Sequence, residues 1–509
     1  MIKYKNFRTL NHDAYHEIYV EDGLFASKPI PAQVLTEVDE VIDCGGKIML
    51  PGFIDSHCHI LPTGLDLLKL NLTKCSTREQ ILEMVMDRHR EQPDGWLLAV
   101  QYDHNKFEDG QHLTVHDLDG ISSTRPILLR HYNGHCSVAN SVALALAKVT
   151  EDVVNPSGGE FCRDSAGRLN GVLLEDAHER VWQATPTPTI EEMVEAIMAA
   201  GDRMAALGIT CASDMMTGRF HLLNELEAYQ IAAAQGCRIR TRLYIQWRDV
   251  FGPRGIGLDA LREQETMFTD PDRTRIAGIK LFADGAIGSA TAAIYGSYSG
   301  LPANGPVISK NGQNTSEVGT SGQLIYSPEK LTHMTKVASD AGYQVAIHAI
   351  GDYASDLVMD AFEATGVPAK HRLEHAMILS DAQIERLQKL DCFVTMQPEF
   401  LLRFGHVYKR QLGSEIASRL NRTRSVLDAG LKLSFSSDRP IVPGAPMDGI
   451  KAAVNRPEGF VPEENCTLSE AISCYTVKGA EVNGDAGRMG SLEAGELADL
   501  QLVEPSSLS

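Results

Sequence analysis

The sequence predicts an α/β protein built on a (β/α)8 TIM barrel, with a small β-sandwich domain formed by its N- and C-terminal segments. Three observations predict it. Strand-like apolar runs alternate with helix-like runs through the middle of the chain, which implies a parallel sheet. Counted along the chain they make eight β units, the number that closes such a sheet on itself. Both ends instead carry short apolar strands around glycine turns, the pattern of a small β unit. A chain of 509 residues has room for one large barrel plus such an appendage.

Each element has its own signal. In residues 1–50, Ile18–Val20 leads into the turn Glu21-Asp22-Gly23, and Val38–Ile42 leads into Asp43-Cys44-Gly45-Gly46. Near the other end, Gly487–Leu492 and Ala498–Val503 read as short strands. Segments 1–50 and 485–509 are therefore expected to pair, leaving 51–484 for the barrel. The first barrel strand is read as the apolar run Ile48–Ile54, ending at His57. The others are Gly208–Ala212, Ile239–Ile245, Ile276–Phe282, Gln344–His348, Arg372–His375, Phe393–Met396 and Leu431–Ser436. Helical patterns fall between most of them, at Thr189–Leu207, Pro328–Ala341, Ala354–Ala364 and Asp381–Leu390. The stretch from about 61 to 188 is too long for one βα loop. It reads as an insertion with its own strands, Trp96–Val100 and Pro126–Arg130. Gly300–Gly322, rich in Gly, Asn and Ser, is either a mobile lid or a disordered loop.

Bulk properties exclude some partners. The net charge of −20 argues against nucleic acid and anionic membranes, which need basic patches. No stretch is long and apolar enough to span a bilayer. Met1–Asn6 lacks the apolar core of a signal peptide, and the ten cysteines include no CxxC pair. Reduced thiols in a cytoplasm are the simplest expectation.

Barrel enzymes place their chemistry at the C-terminal strand ends. Read in order, those ends carry His57 and His59, then Lys280, His348, His375 and Asp438. Side chains at i and i+2 of a strand share a face, so His57 and His59 can hold one metal ion, and zinc favours imidazole. Cys58 between them points to the opposite face and reads as a core thiol.

The segments Leu50-Pro51-Gly52-Phe53-Ile54-Asp55-Ser56-His57-Cys58-His59, Lys280 with Asp284-Gly285 and Gly288-Ser289, Ile347-His348-Ala349-Ile350-Gly351-Asp352, Leu373-Glu374-His375, Ser437-Asp438 and Gly490–Leu500 together resemble the amidohydrolase superfamily of metal-dependent hydrolases. They are most similar to its branch called amidohydrolase family 3, or YtcJ-like, which includes N-substituted formamide deformylases. The resemblance covers nearly the whole chain and does not name a substrate.

It implies a ligand set. His57, His59 and Asp438 would bind a first divalent metal, His348 and His375 a second, and Lys280 would bridge both if carboxylated on its amine. The other reading keeps Lys280 as an ammonium that binds a substrate carboxylate or pairs with Asp284. One metal would then sit on His57, His59 and a further ligand, with Glu175 as a candidate. Asp438 would shuttle a proton between the attacking water and the leaving nitrogen; its alternative is a cap or turn before Pro440. His131, Asn133 and His135 lie in a similar histidine-bearing segment, where His135 contacts substrate or steadies the oxyanion, or is a plain loop histidine. Arg372 either binds a substrate carboxylate or forms a salt bridge within the barrel. Asp352 reads as a helix N-cap and Glu374 as a structural acid of the barrel wall.

The implied function is hydrolysis of an amide- or formamide-type carbon–nitrogen bond of a small molecule by a metal-activated hydroxide. Zinc is the default metal, and iron, manganese or cobalt are also accepted by such ligands. The alternatives are a cyclic amidohydrolase, a deaminase or an esterase on the same site, or a metal-binding regulatory protein without turnover. The family resemblance also suggests a homodimer.

Overall fold

The structure, a computed structural model, describes residues 1–10, 12–26, 38–132, 134, 136–156, 159–299, 305–308 and 314–508. Eight of the apolar runs fall into one parallel sheet. Its strands, in chain order and in spatial order, are Phe53–Cys58, Ile209–Thr217, Arg240–Gln246, Thr274–Phe282, Gln344–Ala349, Arg372–His375, Phe393–Met396 and Lys432–Phe435. Parallel strands joined by helical crossovers have both faces covered, which is why these runs are almost continuously apolar. The last strand is tied back to the first at the mouth of the barrel. Ser437 donates to the Asp55 carboxylate from its backbone N–H at 2.9 Å and its hydroxyl at 2.5 Å. The Asp438 N–H donates to the His57 carbonyl at 2.8 Å. These bonds close a (β/α)8 TIM barrel.

Helix bounds follow local chemistry. Asp381–Leu390 begins where the hydroxyl of Ser380 accepts from Gln383 N–H while the Gln383 side chain reaches back, a reciprocal capping box. Pro328–Asp340 starts with proline in its first turn behind Ser327 as cap. Asp352–Glu363 begins one residue earlier than its cap assignment expects: Gly351 is the cap, and Asp352 is the first helical residue.

The run Ile48–Ile54 is not one strand. Ile48–Pro51 belongs to the terminal sheet, antiparallel to Leu500–Val503, and Phe53–Cys58 belongs to the barrel. Gly52 separates them, and a Cβ there would lie 2.1 Å from Thr210 Oγ1, so only glycine fits. The terminal sheet also holds Ile2–Thr9, His12–Glu21, Leu24–Phe25 and Glu40–Asp43. Gly487–Leu492, expected as a strand, forms turns; its apolar residues Met489 and Leu492 still pack into buried clusters.

The chain divides into two compact units, Met1–Ile60 with Ala200–Ser509, and Leu61–Ala199. The second is built on a six-stranded sheet ordered Gly159–Arg163, Leu169–Glu175, Cys136–Ala139, Ile127–His131, Leu97–Tyr102 and Leu70–Asn71. Its core packs Leu97, Ala99, Ile127, Leu129 and Val138 against Ile81 and Val85 of helix Arg78–Glu91. Within Gly300–Gly322, Gly305–Ile308 and Asn314–Gly319 form an antiparallel pair; the rest of the expected lid lies mostly outside the described residues. No helix among the described residues is long and apolar enough to cross a membrane.

Candidate metal centre

Strand alternation and strand termination together build the site. His57 lies in the last turn of the pleat of the first barrel strand and His59 just beyond it, so both rings leave the same side. Asp438 follows the eighth strand by three residues, with φ near +57°. Its Oδ1 lies 2.9 Å from His59 Nε2 and 3.5 Å from His57 Nε2. That oxygen is buried, yet no hydrogen bond reaches it. The three donor atoms lie within 4.8 Å of one another.

The fifth and sixth strands bring two further imidazoles beside this group. Ring centroids are 4.7 Å apart for His57 and His375, and 4.4 Å for His348 and His375. Lys280, from the fourth strand, is buried with its Nζ lacking any hydrogen-bond partner. Like Asp438, His375 has a left-handed backbone, with φ near +72°. Non-glycine residues pay for such conformations by roughly 1–3 kcal/mol each, and such strain clusters at functional sites.

Hydrogen bonds fix which nitrogen of each ring is free. His57 Nδ1–H donates to Glu374 Oε2 at 2.5 Å, leaving the Nε2 lone pair facing Asp438. Gln397 orients its amide by donating to Ser436 Oγ, so its Oε1 accepts from His375 Nδ1–H at 2.9 Å. His348 is turned the other way: Nε2–H donates to the Gly285 carbonyl at 2.9 Å, leaving Nδ1 as its lone pair. Outer partners of this kind set tautomer and basicity in metal sites.

Electrostatics favour neutral rings. Burial, with Lys280 next in size, holds His57 well below the ordinary imidazole range. Burial, then His348, does the same for His375, and burial then Lys280 lowers His348 to about 4. Burial draws the Lys280 ammonium down to about 8, against the raising effect of Glu374 and Asp438. Neutral imidazoles and an unshared carboxylate oxygen are the donor set a divalent cation needs.

The sequence profile of the amidohydrolase family matches residues 40–508. The chain belongs to that family. It is 29% identical to the Bacillus subtilis (strain 168) protein YtcJ over 510 residues, covering 96% of this chain and 91% of that one. It is 28% identical to the N-substituted formamide deformylase of Arthrobacter pascens over 487 residues, covering 91% and 85%. An uncharacterized metal-dependent hydrolase from Pyrococcus horikoshii superposes with a TM-score of 0.78 at 25% identity, covering 100% of this chain and 98% of that one. The amidohydrolase is thus a hydrolase whose fold carries a candidate divalent-metal site.

Not every expected residue joins the centre. Arg372 is fully buried, and its five N–H groups reach Glu374 at 2.6 Å, Tyr244 and Asn483 at 2.9 and 3.1 Å, and Ser56 O and Thr395 at 2.6 and 3.2 Å. No donor remains for a substrate carboxylate, so the expected substrate contact gives way to a buried network. Asp284 does not pair with Lys280; it accepts backbone N–H groups of Ala293, Ile350 and Gly351. Glu175 is an exposed residue of the Leu61–Ala199 unit. His135 and Asn133 lie outside the described residues. Cys58 faces away from the rings, its Sγ 3.4 Å from Ser213 O.

Sequence reasoning read Glu374 as a structural acid of the barrel wall without its contact to His57, and missed Gln397 as an orienting residue of this amidohydrolase. Gln397 had a signal, since it is the first polar residue after the seventh apolar strand. Glu374 had none, because its partner lies 317 residues away.

One pH prediction arises beside the sixth strand. His371 Nδ1 accepts from Val345 N–H at 3.2 Å, and burial lowers its pKa from 6.5 to about 4. Between those values the unfolded chain binds more protons than the native one, so stability rises with pH across the window. It is complete above 6.5, and about 3 kcal/mol from this residue is lost as pH falls through 4. Urea midpoints at pH 4.5 and 7 should therefore differ less in His371→Gln than in the unsubstituted protein; equal differences would remove His371 as the cause.

Proposed function

We propose that this amidohydrolase hydrolyses a carbon–nitrogen bond of an amide- or formamide-type small molecule. The observation that carries the reading is the buried Asp438 Oδ1, 2.9 Å from His59 Nε2 and 3.5 Å from His57 Nε2, with no hydrogen bond to either. Kinship with a formamide deformylase supports the bond type.

His57, His59 and Asp438 would hold a divalent cation, zinc by default, with His348 and His375 beside them for a second. When bound, such a cation polarises a carbonyl and lowers the pKa of water toward neutrality. Asp438 takes the proton of the water that adds to the carbonyl carbon and returns it to the nitrogen as the C–N bond breaks, releasing an acid and an amine. Glu374 and Gln397 hold the rings of His57 and His375 in one tautomer throughout. The buried lysine amine, drawn down to about 8, has a neutral fraction that can add carbon dioxide with loss of a proton; the resulting carbamate at Lys280 would offer two anionic oxygens.

The test couples metal analysis to a substrate screen. Chelation should abolish turnover of at least one N-formyl or N-acyl compound, and added divalent metal should restore it. Turnover confined to cyclic imides or esters would move the reaction to those classes. Full metal occupancy with no turnover on any of the four would make the protein a metal-binding regulator.

A further inference from the structure

The Leu61–Ala199 unit gathers a second group of donors that shares no residue with the barrel centre. Its strands Leu97–Tyr102 and Ile127–His131 run parallel, with Tyr102 opposite His131. The chain leaving the first strand therefore delivers Asp103 and His104 to the edge where His131 closes the second. His104 Nδ1 lies 3.2 Å from His131 Nε2, and Asp103 Oδ1 lies 3.8 Å from the same nitrogen. Donor atoms about 2.0–2.1 Å from a tetrahedral zinc stand about 3.3–3.4 Å apart, so the first separation fits and the second is only slightly longer.

The surroundings hold these groups in place. Asp103 Oδ1 accepts from both the backbone and side-chain N–H of Asn105 at 3.1 Å, which fixes the carboxylate at the start of the turn His104–Lys106. A carboxylate oxygen so engaged lies in a well-defined place and its partner oxygen remains an acceptor. The His112 ring stacks on His104 with centroids 3.5 Å apart and planes 25° apart, a contact two imidazolium ions would resist. His131 is 3% exposed.

We propose that Asp103, His104 and His131 form a second metal site, for a borderline divalent transition ion such as zinc, bound through a carboxylate oxygen of Asp103, Nδ1 of His104 and Nε2 of His131 with one position left for water. Two nitrogens, one oxygen and a small, half-buried setting select zinc, cobalt or nickel over calcium or magnesium, which prefer all-oxygen shells. The ion would staple the ends of two neighbouring strands.

The experiment uses the full-length protein, stripped with a chelator and reloaded with Co2+. His104→Gln/His131→Gln should bind about one Co2+ fewer per chain than the unsubstituted protein. His104→Gln alone, at a half-buried position, should weaken that equivalent at least tenfold and guards against misfolding of the double variant. In crystals soaked with zinc, anomalous scattering at the zinc edge should show a peak about 2.1 Å from His104 Nδ1 and His131 Nε2. Unchanged Co2+ stoichiometry in both variants, or an anomalous map with peaks at the barrel centre only, would overturn the site. The short contact would then be an ordinary hydrogen bond from one imidazole N–H to the other ring.

Discussion

Asp438→Asn is expected to keep the fold and to cut turnover by about 10²–10⁴-fold, the span that a positioned proton-transfer group contributes. The fold should survive for a local reason. Asp438 sits at φ near +57°, a region that asparagine tolerates nearly as well as aspartate. Its backbone N–H keeps the bond to the His57 carbonyl. What the amide lacks is the capacity to accept a proton, together with the anionic charge beside two imidazole lone pairs. The loss has two parts, and a metal titration separates them. If the defect is proton transfer, saturating metal leaves kcat low; if it is charge alone, saturating metal restores it. Near-normal kcat at ordinary metal levels would remove Asp438 as the proton carrier.

Glu374→Gln should lower metal affinity by about 10–100-fold while leaving the barrel folded. Glu374 is fully buried and accepts from two donors at once, His57 Nδ1–H through Oε2 and Arg372 Nε through Oε1. Glutamine has one oxygen for these two donors. With its NH2 toward His57, the imidazole must accept at Nδ1 and carry its proton on Nε2, which can then no longer ligate. With its NH2 toward Arg372, two donors face each other in a buried place, and the guanidinium loses its carboxylate partner, a costly arrangement. Binding of Zn2+ by the stripped variant checks this. An unchanged Kd would show that the His57 tautomer is set by something else. Glu374→Asp should recover part of the affinity because it keeps two acceptor oxygens.

The barrel was legible because its strands obey one rule: apolar runs of four to nine residues, most of them separated by helical patterns. Arg372–His375 and Phe393–Met396 coincide with their expected bounds, and Asp381–Leu390 is fixed by the Ser380–Gln383 pair. The candidate donors were legible for the same reason, since a polar side chain ending a buried strand stands out. What surrounds them was not. Glu374 and Arg372 look like any acid and base two residues apart, and their contacts to His57, Tyr244 and Ser56 arise only when distant strands close on each other. The break at Gly52 did carry a signal, a Pro-Gly pair inside an apolar run. Continuous hydrophobicity on both sides concealed it, because the two sheets that share the run both bury their faces. The pairing of Asp103, His104 and His131 needed the register of two strands in the second unit, which local spacing does not supply.

Gly52 ties the first histidine pair to a strand that follows the whole barrel in the chain. Ile48–Pro51 completes its ladder only with Leu500–Val503, and the Gly52 N–H donates to the Asp499 carbonyl at 2.9 Å. During synthesis Asp499 and Leu500–Val503 follow all eight barrel strands, so the segment that positions His57 waits with an open edge until they have emerged. A chain cut before Asp499 would hold all the proposed barrel donors in its sequence and still lack the clamp that seats the first of them.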